Sequence, residues 1–246
     1  MATFAVILPA AGNSTRFGGP IKKPFLALRD RPIWLRSCEL FLNRPDVKQI
    51  LLVVSPGDRE EFVGKYAGNL TFMDVELVEG GSERFESVAN AIARVDDDVD
   101  FIAVHDAVRP LTTAALIDRV LARATEEGAA LPAVALTNTL KRVDSEMRVT
   151  DTPSREGLWM AQTPQVGRRE WMASAYAERA ELPGPITDDA QLLSAAGHPV
   201  TVVPGDPTNI KITTPEDLWL AGAILTARET PEPEQKSRRP FDDEWE

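Results

Sequence analysis

Short apolar runs alternate with amphipathic stretches along this chain. Phe4-Ala-Val-Ile-Leu8, Ile50-Leu-Leu-Val-Val54 and Phe101-Ile-Ala-Val104 are nearly unbroken apolar runs, the pattern of parallel strands buried on both faces. Val75 to Val78, Ala129 to Leu136 and Val200 to Val203 predict further strands. Helical spacing fills the intervals at Ile33 to Phe41, where Pro32 suits the first turn, at Arg59 to Tyr66, and at Leu116 to Ala124. Glu83 to Val95 places Phe85, Val88, Ala89, Ile92 and Val95 on one helical face, with Ser82 as its expected N-cap. Arg168 to Glu181, Asp188 to Ala196 and Glu216 to Ala227 predict three more helices, the last after Pro215. Pro56-Gly57 and Gly80-Gly81 close the second and third strands, and Pro9 to Lys23 is a long loop containing Gly12, Gly18, Gly19 and Pro20.

This alternation predicts an α/β protein, a Rossmann-like three-layer sandwich around a mainly parallel sheet. Residues 137–167 break the pattern with polar pieces such as Leu140-Lys-Arg-Val143 and Arg148-Val-Thr150, so a projecting β-hairpin arm is expected there. We expect one domain over residues 1–228, since no repeat or linker interrupts it. Residues 229–246 carry three prolines and seven acids and are expected to form a disordered tail.

The 246 residues suffice for a sizeable core, and 43% hydrophobic with 26% charged is the balance of an ordinary soluble protein. No apolar run approaches the roughly 20 residues of a membrane helix. No basic stretch precedes an apolar one at the start, so no secretory signal is expected. A lone Cys38 excludes an intramolecular disulfide, and with only His105 and His198 there is no Cys/His zinc site. The net charge of −11 argues against a general nucleic-acid binder. A cytoplasmic enzyme or binding domain remains. Within that acidic chain, residues 1–36 hold Arg16, Lys22, Lys23, Arg29, Arg31 and Arg36 against Asp30 alone, a local charge of +5. Such an island suits a small polyanion, and equally suits a solvated basic loop.

Ligands of open parallel sheets bind beyond the carboxyl ends of the strands. Pro9-Ala10-Ala11-Gly12 follows the first strand, and its small residues let backbone N–H groups approach a phosphate. The loop is neither a P-loop nor a dinucleotide Gly-x-Gly-x-x-Gly motif. With Arg16 and Lys23 added, the sequence resembles the 2-C-methyl-D-erythritol 4-phosphate cytidylyltransferases over about residues 3–227. That family belongs to the wider nucleotidyltransferases and has the pattern Ala-Ala-Gly-x3-Arg followed by Lys. Lys22-Lys23-Pro24 stands where the family usually has Pro-Lys-Gln; Lys23 matches by its register with Phe25-Leu26, and Lys22 competes for the role.

Further segments extend the resemblance. Gly80-Gly81-Ser82-Glu83-Arg84 with Ser87-Val88 implies a cytosine-reading loop, with Ala10, Ala11, Gly12, Gly81, Ser82, Ser87 and Asp106 around CTP. From residue types alone, the same segment is a helix start with a buried serine. His105-Asp106-Ala107-Val108-Arg109 ends a central strand. There Asp106 suits Mg²⁺ or a sugar hydroxyl, or else pairs with Arg109 to shape the loop, and His105 reads as structural. The resemblance implies an acceptor site of Asp106, Arg109, Thr139, Arg155, Thr163, Thr187 and Lys211, with Thr187-Asp188 also a helix-cap candidate. It further implies a homodimer whose arms exchange, so that Arg155 and Thr163 serve the neighbouring subunit.

The implied reaction is transfer of a cytidylyl group from CTP to 2-C-methyl-D-erythritol 4-phosphate in isoprenoid biosynthesis. Arg16 and Lys23 would stabilise the transition state, Arg155 and Lys211 would hold the acceptor phosphate, and Mg²⁺ would bind at Asp106. A cytidylyltransferase for another polyol phosphate such as ribitol 5-phosphate is the near alternative. A non-catalytic nucleotide-binding domain, and a structural domain with an incidental basic cluster, are alternatives of another class.

Overall fold

The computed structural model describes residues 1–12, 25–181 and 186–230. β1 (Phe4–Pro9) is followed by a small hairpin, β2 (Ala27–Leu28) and β3 (Arg31–Pro32), and by α1 (Ile33–Glu39). Next come β4 (Val47–Val54), α2 (Pro56–Phe72), β5 (Val75–Glu79), α3 (Arg84–Ile92), β6 (Phe101–Val104), α4 (Ala114–Glu127) and β7 (Ala129–Ala135). β8 (Arg142–Val143), β9 (Val149–Asp151), β10 (Trp159–Ala161) and β11 (Gln165–Arg168) lead to α5 (Arg169–Ala177) and a 3-10 turn at Arg179–Glu181. α6 (Asp189–Ala195), β12 (Thr201–Pro204) and α7 (Pro215–Glu229) complete the described chain.

β1 shows why three layers form. Phe4, Val6 and Leu8 point to one face and join Trp34 and Cys38 of α1, Phe62 and Tyr66 of α2, and Leu116 to Ala124 of α4. Ala5 and Ile7 point to the other face, against Val88 and Ala91 of α3, Met172 and Ala175 of α5, and Leu192 and Leu193 of α6. A strand with period 2 and no polar residue must be covered on both sides. A third cluster, around Leu28, Ile33, Leu111, Ile212 and Ala221, seats α7.

Seven of the sheet's strands run in the order β10-β7-β11-β6-β1-β4-β5, and β12 pairs with β7. The β1·β4, β1·β6, β4·β5 and β7·β12 pairings are parallel, so the sheet is mainly parallel as expected. β11 inserts antiparallel between β6 and β7, and β10 continues antiparallel along β7.

That insertion corrects the expected arm of 137–167. Within that span only β8 and β9 form a separate hairpin, while β10 and β11 return to the central sheet. The signal was hidden because Gln165 is polar yet buried. α2 begins at Pro56 rather than Arg59: proline fits the first helical turn, where its missing N–H costs nothing, so Pro56-Gly57 starts a helix instead of ending a strand. β4 begins at Val47, α5 ends at Ala177, and residues 231–246 of the expected tail lie outside the described residues.

Candidate active site

Two loops leave the sheet side by side. The Ala10 N–H donates to Val53 O at 2.7 Å and the Gly80 N–H to Val54 O at 2.8 Å, so both loops start from the end of β4. A Cβ on Gly80 would stand 2.7 Å from the Ala11 Cβ and 2.8 Å from Ser87 Oγ, so glycine is what allows Ala10-Ala11 to lie against Gly80-Gly81. Ser87 is buried; its Oγ accepts the Gly81 N–H at 3.1 Å and donates to Glu83 O at 3.0 Å. The buried-serine alternative is therefore present, and one hydroxyl lone pair is left beside the loop.

Ser82 does not cap α3. Glu83 holds the N-cap position without a side-chain bond. The Ser82 N–H and hydroxyl both donate to Glu86 Oε2, each at 2.7 Å. The Glu86 side chain folds back over the first turn, and these bonds hold its carboxyl below the usual range.

The second half of the site is built around Asp106, buried at the end of β6. Arg109 Nε and Lys211 Nζ both meet Asp106 Oδ2 at 3.1 Å, leaving Oδ1 outside those two contacts. Burial opposes ionisation of this carboxyl, but Lys211, Arg84 and Arg109 outweigh it and hold its pKa at about 2. Arg109 also donates to Asn209 O at 2.8 Å, and the Ile212 N–H donates to Val108 O at 2.9 Å, which straps the Lys211 loop to the Asp106 loop.

Hydrogen bonding fixes the tautomer of His105. Its Nε2 faces Arg109 O at 3.1 Å, and a carbonyl can only accept, so Nε2 carries the proton. Nδ1 then accepts from Thr163 Oγ1 at 3.1 Å, and that oxygen accepts the Asp106 N–H at 3.1 Å. Burial pushes the imidazole down to about 4, against the opposing pull of Asp106. Neutral and bonded at both nitrogens, His105 is a brace for the Asp106 loop, as the sequence suggested.

A family model described as 2-C-methyl-D-erythritol 4-phosphate cytidylyltransferase matches residues 4–227. The chain belongs to this family. A protein of that name from Desulforamulus reducens is 39% identical over 93% of this chain and 98% of its own. One from Frankia casuarinae is 42% identical over 90% and 80%. The crystal structure of the Thermus thermophilus protein of that name has a TM-score of 0.74 at 32% identity, covering 92% of this chain and all of that one. As a family member the chain is a nucleotidyltransferase enzyme.

At the carboxyl ends of the strands the structure brings Ala11, Gly81 and Ser87 around Gly80, with Ala10 and Gly12 on the same β1 loop and Ser82 on the same β5 loop, and it gathers Asp106, Arg109 and Lys211 beyond β6. Arg16, Lys22 and Lys23 lie outside the described residues. Thr163 is a correction: it is buried in its own chain, with its hydroxyl committed to Asp106 and His105, so it sits under the loop and not on an exchanged arm. Arg155 and Thr139 are exposed near the hairpin, and Arg155 donates to Thr137 O. Thr187 is exposed; its N–H and hydroxyl donate to Gln191 Oε1 at 2.8 and 2.9 Å, while Asp188 is the N-cap of α6, accepting the Gln191 N–H at 2.8 Å.

Several buried polar groups carry roles that no local pattern announced. Gln162 donates to Asp206 O at 2.8 Å, and the Asp206 N–H donates back to Gln162 Oε1 at 3.1 Å. Asn209 donates to Thr163 O at 3.0 Å and accepts from Thr112 at 2.8 Å. Arg84 pairs with Asp189 at 2.7 Å. Arg84 and Asp189 are 105 residues apart, and only the fold joins them.

Proposed function

We propose that the protein transfers the cytidylyl group of CTP to 2-C-methyl-D-erythritol 4-phosphate. The observation that carries this is the close approach of Ala11 to Gly80 at the strand ends from which Asp106, Arg109 and Lys211 also project, in a chain whose family match spans 4–227. An oxygen of the acceptor phosphate forms a bond to the α-phosphorus of CTP. The bond from that phosphorus to the β-bridging oxygen breaks, and its electron pair leaves on pyrophosphate. The acceptor phosphate is already ionised at neutral pH, so no general base is needed. His105 is not available as one.

The barrier is then anion repulsion and charge on a crowded phosphorus, which fixed cations lower by positioning and electrostatics. Arg16 and Lys23 are assigned to the transition state, and Arg155 and Lys211 to the acceptor phosphate. Arg suits a bidentate grip and Lys a point charge. Ala10, Ala11, Gly12, Gly81, Ser82 and Ser87 are assigned to CTP, and Thr139 and Thr187 to the acceptor. Arg109 acts through Asp106, which it holds. Exposed Val143, Met147, Val149, Leu158, Trp159 and Met160 on and beside the hairpin support a homodimer through this arm.

A divalent cation such as Mg²⁺ fits Asp106 only in company with the triphosphate. Among the described residues no group of three or more His, Cys, Asp or Glu could hold a metal, and Mg²⁺ accepts one or two carboxylates when phosphates complete its shell. When bound, it neutralises triphosphate charge. Among the described residues no helix is long and apolar enough to cross a membrane. We place the enzyme in the cytoplasm, with residues 1–228 as its one domain and 229–246 dispensable.

Pyrophosphate release with Mg²⁺ and the methylerythritol acceptor tests the reading. CTP should be preferred over UTP by roughly tenfold or more in kcat/KM, since a buried group left unpaired by uracil costs about 1–3 kcal/mol. Equal turnover of UTP would overturn the assignment of the Gly80–Ser82 loop to cytosine.

A further inference from the structure

Asp189 is only 1% exposed, a depth at which a carboxylate must be fully paired. Arg84 meets it with both terminal nitrogens, at 2.7 Å to Oδ2 and 3.2 Å to Oδ1, and the Tyr176 hydroxyl donates to Oδ1. Phe85 lies flat on Tyr176, with ring centroids 5.0 Å apart and planes 2° from parallel. Burial and the Asp189 carboxylate push the Tyr176 phenol well up, so it stays a donor.

What this cluster joins is specific. Arg84 is the first residue of α3, directly after the Gly80–Ser82 loop and Glu83. Asp189 is the first residue of α6, directly after Thr187-Asp188. Asp188 is itself pinned, accepting from Gln165 Nε2 at 3.0 Å. A planar bidentate pair fixes distance and angle together, which a lysine or a hydrophobic contact does not. A buried ion pair is a weak device for stability alone, since apolar replacements often do as well.

We propose that Asp189, tied to Arg84 and Tyr176, is a positioning residue that sets the acceptor-side loop at Thr187 against the nucleotide-side loop at Gly80–Ser82, so that the two substrates meet in line. This rests on the cytidylyl-transfer reading above. Each loop binds its own substrate, and the tie aligns the two. Loosening it therefore lowers kcat and leaves binary CTP affinity in place.

The test compares wild type, Asp189→Asn and Tyr176→Phe for turnover, CTP affinity by calorimetry, and melting temperature. Asp189→Asn should lose about 10²-fold in kcat, the scale of an ångström-sized misplacement, with the CTP Kd within threefold of wild type. Tyr176→Phe keeps the ring stack and should lose roughly tenfold, as one hydrogen bond to a charged group is removed. If Asp189→Asn does not fold, Tyr176→Phe decides alone. A kcat within threefold of wild type in the folded variant, with only the melting temperature lowered, would make the cluster merely structural and overturn the proposal. A wild type without transfer would remove the functional reading and the tie with it.

Discussion

Lys211 and Arg109 converge on one oxygen of Asp106, two cations on one carboxylate, and in the proposed reaction Lys211 faces the acceptor phosphate. Lys23 is assigned to the same charge problem at the transition state. Lys23→Ala should cost about 3–4 kcal/mol, or 10²–10³ in kcat, by analogy with a lost oxyanion donor, and Lys22→Ala much less. The reverse ranking in steady-state kinetics would show that Lys22 holds the matched register. His105 makes a separate prediction. Its folded value of about 4 lies below the ordinary 6.5, so as pH falls through this window the unfolded chain takes up a proton that the folded one refuses. Stability should drop by roughly 3 kcal/mol between those values. Asp106, held at about 2 against 3.8, adds a further loss below about 3.8 in the same direction. Urea midpoints across pH 4–7 should flatten in His105→Gln; an unchanged slope would place the titration elsewhere. Asp106, Arg109 and Lys211 were legible because each sits in a short motif after a strand or loop. Thr163 was misplaced because its partners, Asp106 and His105, are almost 60 residues away in sequence.

Among the elements, strands with unbroken apolar runs were the easiest to read: β1, β4 and β6 need cover on both faces, and no other arrangement supplies it. The Asp188 cap of α6 was also legible. β10 and β11 were not, because Gln162, Thr163 and Gln165 are polar residues whose burial is met by partners distant in sequence: Asp206 for Gln162, Asp106 and His105 for Thr163, and Asp188 for Gln165. The arm that remains, with β8 and β9, presents Met147 and Val149 to solvent. If it exchanges in a homodimer, Arg155 serves the partner's site. Arg155→Ala should then raise the acceptor KM with CTP binding unchanged. Mixing Arg155→Ala with Lys23→Ala should restore activity towards about a quarter of wild type, since half the dimers carry one good site of two under twofold symmetry. No recovery after confirmed subunit exchange would confine Arg155 to its own subunit.

At the scale of the molecule, one sheet edge gathers loops from β1, β5 and β6 together with the segment after β12, and the surrounding chain exists to hold their spacing. Gly80 permits one close approach, the His105–Thr163 brace shapes a second loop, and the Val108–Ile212 strap seats a third. In the proposed reading this scaffold sets the nucleotide, and a few side chains select the acceptor. The most direct measurement is ³¹P NMR of the full-length enzyme with CTP and Mg²⁺, given 2-C-methyl-D-erythritol 4-phosphate or ribitol 5-phosphate in parallel. We predict paired diphosphate signals of a cytidyl diester and equimolar pyrophosphate with the methylerythritol acceptor, and at least tenfold slower formation with ribitol phosphate. Absence of a diester with the methylerythritol acceptor, or faster turnover of ribitol phosphate, would contradict the account.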